Sequence, residues 1–329
     1  MALSTAERLR RFHEQFSGSD NVAVLINADP DAIASAMAVS RLLWHKVAST
    51  TIVHINTIKR PDNLAMIRLL GVNMAYVDKV AAKQFNRVVI VDSQPDHNPD
   101  FAAFKADVVI DHHPDTGCQA SYMDIRPQYG ATASIMTEYL RAAKIKPSVK
   151  LATGLYHAIK TDTSNFERQT LIEDLRAFQF LFRHANKHLA RKIEQAELRP
   201  DFLKYFKCAL KQTRMRKGRV FVHLGSVVNA DVCVLIADFF MRVNSVTWSV
   251  ISGICERKLI LILRNDGIRK NAGTVAIQGF GQIGSAGGHK SMARAEIALT
   301  ELKKHIDYKD PKKLKSWIIK HIEQRTDKK

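Results

Sequence analysis

Three short apolar runs in the first half of the chain share one punctuation: each breaks at an aspartate. "NVAVLIN" (21–27) is followed by Asp29 and Asp31, "RVVIVD" (87–92) closes on Asp92, and "DVVID" (107–111) closes on Asp111. Runs this short and apolar throughout are the mark of strands covered on both faces. Helical patterns lie between and after them, at 31–47, 63–71, 131–144 and 148–163, with a further strand, "TTIVHIN", at 50–56. Strands alternating with helices predict a parallel α/β sheet. In such sheets ligands collect outside the carboxyl ends of the strands, so the three runs should deliver their aspartates to one edge.

At 329 residues the chain exceeds one ordinary core, and the pattern restarts in the second half. From about 168 to 217 it reads as helical and increasingly basic, ending in "KQTRMRKGR" (211–219). "RVFVHLG" (219–225) opens a second α/β unit, followed by a helix over 231–242 and strands at 246–254 and 258–265. A glycine-rich turn, "GFGQIGSAGGHKSMARAEI" (279–297), should lead into another helix, and 310–329 reads as a capped basic helix. The expected architecture is α/β. An N-terminal, mostly parallel sheet with flanking helices fills 1–185, a helical connector 186–217, and a smaller C-terminal α/β domain 218–329, with the active site in the cleft between the domains.

The charge is unevenly spread. Residues 1–185 hold 21 Lys and Arg against 19 Asp and Glu, a net of +2; residues 186–329 hold 29 against 13, a net of +16. A basic half of this kind fits either a polyanionic partner or a solubilising surface. The four cysteines are scattered with no CxxC pair, which excludes a disulfide framework or a zinc site and fits a reducing compartment. "MALSTAERLRRFHEQF" reads as an amphipathic helix capped near Ser4, without the apolar core of a signal peptide, and no stretch reaches membrane-spanning length. A cytoplasmic protein with no membrane partner is expected.

The polar residues at the strand ends carry the chemistry. Any one of these aspartates, taken alone, is most simply a helix cap or turn residue. Together, Asp29, Asp31, Asp92, Asp111 and Asp162, with His112 and His113 in "DHHPD", concentrate negative charge that burial would make costly without a cation. Carboxylates plus imidazole, with no thiolate, suit Mn²⁺ or Mg²⁺, and a carboxylate-bridged pair of ions could activate water and clamp a phosphoryl group.

These residues resemble the DHH phosphoesterase family with its DHH-associated C-terminal domain: "DPD" (29–31), "VD" (91–92), "DHH" (111–113), "TDT" (161–163) and "GGH" (287–289) occur in the family's order. The resemblance implies that Asp29 binds one metal, that Asp31, His112 and Asp162 bind the other, and that Asp92 bridges them, with two Mn²⁺ ions expected and Mg²⁺ as the alternative. It implies that Asp111 is a supporting acid and that His113 faces the substrate phosphate. It further implies that Gly287, Gly288 and His289 form a phosphate-gripping turn, with Arg264 as a strand-end phosphate ligand. The family's first motif often opens with histidine where this chain has Leu25; Asn27, on the same side of the strand, could supply an oxygen instead.

The chain is most similar to the oligoribonuclease (nanoRNase) and 3′-phosphoadenosine 5′-phosphate phosphatase branch. The expected activity is metal-dependent hydrolysis of short RNA or DNA oligonucleotides, dinucleotides or nucleoside bisphosphates, with a homodimer left open. The alternative is a nucleotide or nucleic-acid binding protein of the same fold, catalytically weakened at Leu25.

Overall fold

A computed structural model describes residues 3–168, 170–195 and 200–326, so residues 196–199 of the expected connector and 327–329 of the expected basic helix lie outside the described residues. The chain divides into two compact units, 1–197 and 198–329.

The first unit begins with α1 (Thr5–His13), capped by the Ser4 hydroxyl, which accepts the Glu7 amide. There follow β1 (Asn21–Ile26), α2 (Pro30–Leu43), β2 (Ser49–His54), α3 (Pro61–Leu70), β3 (Met74–Tyr76), β4 (Arg87–Val91), β5 (Val108–Asp111) and β6 (Tyr122–Ile125). Four helices complete it: α4 (Thr132–Ala142), α5 (Val149–Asp162), α6 (Ile172–Phe182) and α7 (Lys187–Glu194). The six strands form one parallel sheet in the order β3-β2-β1-β4-β5-β6. Along β1 the side chains divide by period two. Val22, Val24 and Ile26 enter the core built with α2, α4 and α5, while Ala23 and Leu25 join Val53, Ile90, Phe101 and Phe104 in a separate cluster. The sequence reading missed β3 and β6. Each is short, and β6 alternates buried and exposed positions instead of running apolar throughout.

This strand order has a functional consequence. The chain winds outward from β1 in one direction to β3, then returns to β4 and winds the other way, so β1 and β4 are neighbours whose onward connections diverge. A parallel sheet opens a crevice at the carboxyl ends of such a pair. Asp29 and Asp31 follow β1, and Asp92 follows β4.

The second unit contains α8 (Leu203–Gln212), β7 (Arg214–Arg216), β8 (Arg219–Ser226), α9 (Asp231–Phe240), β9 (Trp248–Cys255) and β10 (Lys258–Asn265), then α10 (Ala272–Phe280), β11 (Ser285–Gly288), β12 (Met292–Ala298), α11 (Leu299–Leu302) and α12 (Pro311–Thr326). Its mixed sheet runs β11-β12-β10-β9-β8-β7, with α10 and α12 packed on one face and α8 and α9 on the other. Two expectations are corrected here. "KQTRMRKGR" does not continue a connector helix: β7 pairs back onto β8 through Lys217 and Gly218, whose φ of 49° and 73° make the two-residue left-handed turn that fits strand twist. The glycine-rich stretch does not open a helix either. It forms the β11–β12 hairpin, and the helix after it, α11, is a single turn. No helix among the described residues is long and apolar enough to cross a membrane.

Candidate metal centre

The paired aspartates of "NADPDAIAS" serve two different helices. Asp29 is extended (φ −134°, ψ −177°) and caps α2, its carboxylate accepting the Ala32 amide at 2.9 Å, with Pro30 in the favoured first helical position. Asp31, in the first turn of α2 and only 1% exposed, reaches instead to α4. Its two oxygens accept the amides of Thr132 (2.7 Å) and Ala133 (2.8 Å). The residue that should cap α4, Ala131, has no side chain able to do so, and Asp31 supplies the missing acceptor from 101 residues away. Each negative charge therefore sits against the positive end of a helix, which lets the two lie close together.

Asp92 terminates β4 in the left-handed region (φ 58°) while its amide still donates to Ile110 of β5 at 2.9 Å. Asp is among the few residues that tolerate this conformation, which turns the carboxylate out of the strand direction at the sheet edge. The Thr132 hydroxyl donates to it at 2.8 Å, so one threonine links Asp31 through its amide and Asp92 through its side chain. Asp111, fully buried at the end of β5, accepts the His112 amide, His113 Nδ1 and Gln94 Nε2 at 2.7–2.8 Å. These bonds, foremost that from His113, outweigh the effect of burial and hold its carboxyl below the usual range.

His112 is oriented from behind. Its Nδ1 lies 3.1 Å from the Tyr129 carbonyl, which can only accept, so that nitrogen carries the proton and Nε2 is left for the site. Nε2 lies 3.0 Å from Asp162, at the end of α5, and 3.6 Å from Asp92. Asp31, His112 and Asp162 each offer a ligand atom within 4.8 Å of the others, as do Asp92, His112 and His113. The expected ligands Asp31, Asp92, His112 and Asp162 thus converge; Asp29 caps its own helix beside them, outside either triplet.

The electrostatics fit a cation. Burial, followed by the repulsion of neighbouring aspartates, raises the Asp29 and Asp92 carboxyls above their ordinary range and takes Asp31 up to about 7. Burial disfavours charge on His112, yet the hydrogen bond to Asp162 and the field of Asp31 push its pKa up to about 9. The positive charge paired with these carboxylates in the structure thus comes from imidazole, a weak substitute for a divalent ion. Oxygen and nitrogen donors with no sulfur suit Mn²⁺ or Mg²⁺.

The other expected residues fall differently. His113 is half-exposed, with Nδ1 held by Asp111. Asn27 is exposed just past β1, whereas Leu25 is fully buried in the apolar cluster of the sheet's other face and offers nothing to a metal. In the second unit Arg264 pairs with Asp238 of α9 at 2.7 Å. Gly287 and Gly288 lie on β11 and His289 in the exposed hairpin loop. The helix end beside them, that of α10, already has its first amides engaged: Ala272 donates to Lys290 O and Gly273 to His289 O.

Sequence reasoning missed Thr132, Tyr129 and Gln94. Gln94 is fully buried and clamps the DHH loop, donating to Asp111 and Pro114 O and accepting from Thr116. The signal for Thr132 was a helical pattern beginning at "GATAS" without a capping residue of its own.

Residues 21–159 match the DHH family, N-terminal domain. The chain is 31% identical over 293 residues to an uncharacterized protein of Methanocaldococcus jannaschii, an alignment covering 89% of this chain and 60% of that protein, so the chain spans about three fifths of its relative's length. It is similar in structure to an exopolyphosphatase-related protein from Bacteroides fragilis, with a TM-score of 0.71 at 16% identity over 96% of this chain and 97% of that one. It is also similar to RecJ from Thermus thermophilus, solved in complex with Mn²⁺, with a TM-score of 0.50 at 11% identity over 97% of this chain and 54% of that one. At these identities the likeness is one of fold. From the first residue of β1 to the last turn of α5, the chain carries the pattern of the DHH family N-terminal domain.

Proposed function

We propose that the protein is a metal-dependent phosphoesterase acting on short oligonucleotides, dinucleotides or nucleoside bisphosphates. The observation that carries this reading is the convergence of the buried Asp31 and Asp92 with the part-exposed His112 and Asp162 near the β1/β4 switch point, where imidazole is paired with the carboxylates. Asp31, His112 and Asp162 would hold one Mn²⁺ and Asp29 a second, with Asp92 shared. The bound ions supply Lewis-acid activation of the attacking water and neutralise charge on the phosphoryl group.

The chain's own residues do the positioning. Tyr129 O fixes the His112 tautomer, and Thr132 and the α4 amides hold Asp92 and Asp31 in place. Asp111 holds His113 by Nδ1 and raises its pKa, leaving Nε2 to face the substrate phosphate. In the second unit Arg264, Gly287, Gly288 and His289 are the proposed contacts to the substrate's remaining phosphate or terminal nucleotide.

A panel of di- to pentanucleotides, 3′-phosphoadenosine 5′-phosphate, cyclic dinucleotides and pyrophosphate, assayed with Mn²⁺, tests the proposal. Turnover should be metal-dependent and strongest on one nucleotide class; no turnover on any member would refute it. Leu25 favours a second reading, nucleotide binding with weakened catalysis, because a side chain buried in the opposite face leaves the first metal one ligand short. Calorimetric Mn²⁺ titration separates the two: two ions per chain support the enzyme, one ion with tight nucleotide binding and no hydrolysis supports the binding protein.

A further inference from the structure

We propose that His97 is a phosphate-binding residue of this site and selects substrates that carry a phosphomonoester group. The inference rests on the phosphoesterase reading above and names its substrate class.

His97 ends a 3₁₀ turn, Pro95–His97, five residues past Asp92. Its Nδ1 lies 3.2 Å from the Gln94 amide nitrogen and 3.2 Å from Ser93 Oγ. A backbone N–H can only donate, so Nδ1 accepts, and the proton of the neutral ring sits on Nε2. Both anchoring residues are buried, which mounts an exposed imidazole on a fixed base. The ring stands edge-on to His113, with centroids 5.5 Å apart and planes at 80°.

His97, Asp111 and His113 offer ligand atoms within 4.8 Å of one another, a grouping that invites a metal. Two details favour an anion. Asp111 is fully buried, and its oxygens are engaged by the His112 amide, His113 Nδ1 and Gln94 Nε2. His97 has spent its lone-pair nitrogen on Gln94, so what it presents outward is an N–H. Two imidazoles, each fixed through Nδ1, stand beside one another near the carboxylates, and the Nε2 of His97 is an N–H donor. Gln94 ties them together, its amide holding His97 and its side chain holding Asp111, which in turn holds His113. A monoester phosphate has three terminal oxygens and nearly two charges at neutral pH, against two oxygens and one charge in a diester. A His97 N–H donor beside the phosphate contact proposed for His113 therefore favours the monoester.

Calorimetric titration of inorganic phosphate into Mn²⁺-loaded wild type, His97→Ala and His97→Gln tests the assignment, with Mn²⁺ stoichiometry measured in the same preparations before phosphate is added. His97→Ala should weaken phosphate binding about tenfold. His97→Gln, whose amide N–H reaches roughly where Nε2 does, should retain most of it. Mn²⁺ stoichiometry should be the same in all three. Unchanged phosphate affinity in His97→Ala would overturn the proposal, as would loss of one Mn²⁺ equivalent, which would make His97 a metal ligand. Phosphate binding that depends on His97, in a protein that turns over no nucleotide, would uphold this site and refute the phosphoesterase reading. Nucleotide turnover with phosphate binding indifferent to His97 would do the reverse.

Discussion

The two sheets treat polar groups at the ends that carry the candidate site residues in opposite ways. At the β1/β4 switch point Asp31, Asp92 and Asp111 are buried and crowded, and Asp31 is pinned by the α4 amides, Asp92 by the Thr132 hydroxyl and Asp111 by the DHH loop and Gln94. At the β11–β12 hairpin and the neighbouring end of β10 the polar groups are largely satisfied within the unit: the part-buried Arg264 by Asp238 of α9, and the α10 amides by the loop carbonyls. Buried, unbalanced charge is expensive, so the first arrangement makes sense only with a ligand to offset it. A self-satisfied exposed hairpin needs no ligand to exist.

The largest effect should come from removing charge at the first site. Asp92→Asn should lower Mn²⁺-dependent turnover about a thousandfold or more. With chelator present it should also stabilise the protein, by about 1–2 kcal/mol, because it removes a buried charge repelled by its neighbours. Asp31→Asn should lose turnover too but destabilise, by about 1–3 kcal/mol, because its NH₂ group would face an α4 amide that now has an acceptor. Thermal melts of both variants in chelator decide this. If both shift the same way, the trans-capping role of Asp31 is wrong.

At the hairpin the sharpest contrast lies between adjacent glycines. A Cβ on Gly288 would lie 2.3 Å from Met292 O, and its φ of 151° is one that side chains rarely adopt; a Cβ on Gly287 would meet nothing within 4 Å. Gly288→Ala should therefore cost more than about 2 kcal/mol in urea unfolding, and Gly287→Ala well under 1. If Gly287 contacts substrate phosphate, its alanine variant should raise KM at unchanged stability. An unchanged KM would remove Gly287 from the binding set.

What was legible in the sequence follows the same divide. Asp29, Asp31, Asp92, Asp111 and Asp162 stood out because each breaks an apolar or helical run, a local signal. Thr132, the Tyr129 carbonyl and Gln94 act through the backbone or across long separations, and beyond the uncapped helix start at "GATAS" nothing in a local window marks them. The parallel sheet of the first unit was legible for the same reason, its central strands being continuous and apolar. "SAGG" has little strand preference of its own and becomes β11 only through pairing with β12, a nonlocal effect that made it read as a turn.

A smaller effect tests the second unit's interior. His223 of β8 is buried against Ser252 Oγ (3.0 Å), and burial, then the field of Lys315, push its pKa down to about 4. Between about 4 and the ordinary 6.5 the unfolded chain binds the proton and the folded chain does not. The resulting stability is complete above 6.5 and is lost as pH falls toward 4. Urea unfolding should show His223→Gln losing about 2 kcal/mol less than wild type between pH 7 and pH 5. Parallel pH profiles would mean that the histidine escapes burial before it protonates.

The smallest effect lies beside Asp162. Ser164, Asn165 and Phe166 are consecutive left-handed residues, with φ of 49°, 57° and 68°, a conformation that costs ordinary side chains about 1–2 kcal/mol each. The turn is held by Asn165 N to Lys160 O, Phe166 N to Thr163 Oγ1, and the Phe166 ring against Phe178. Strain retained immediately after a candidate ligand is worth relieving experimentally, because the surrounding contacts must over-determine it. Ser164→Gly should raise stability by up to about 1 kcal/mol, the relief being partly offset by glycine's greater freedom in the unfolded chain. If the contacts fix Asp162, Mn²⁺ affinity should not change. If the strain fixes it, affinity should fall even as the melting temperature rises, and the first site would owe its geometry to a stressed backbone as well as to borrowed caps.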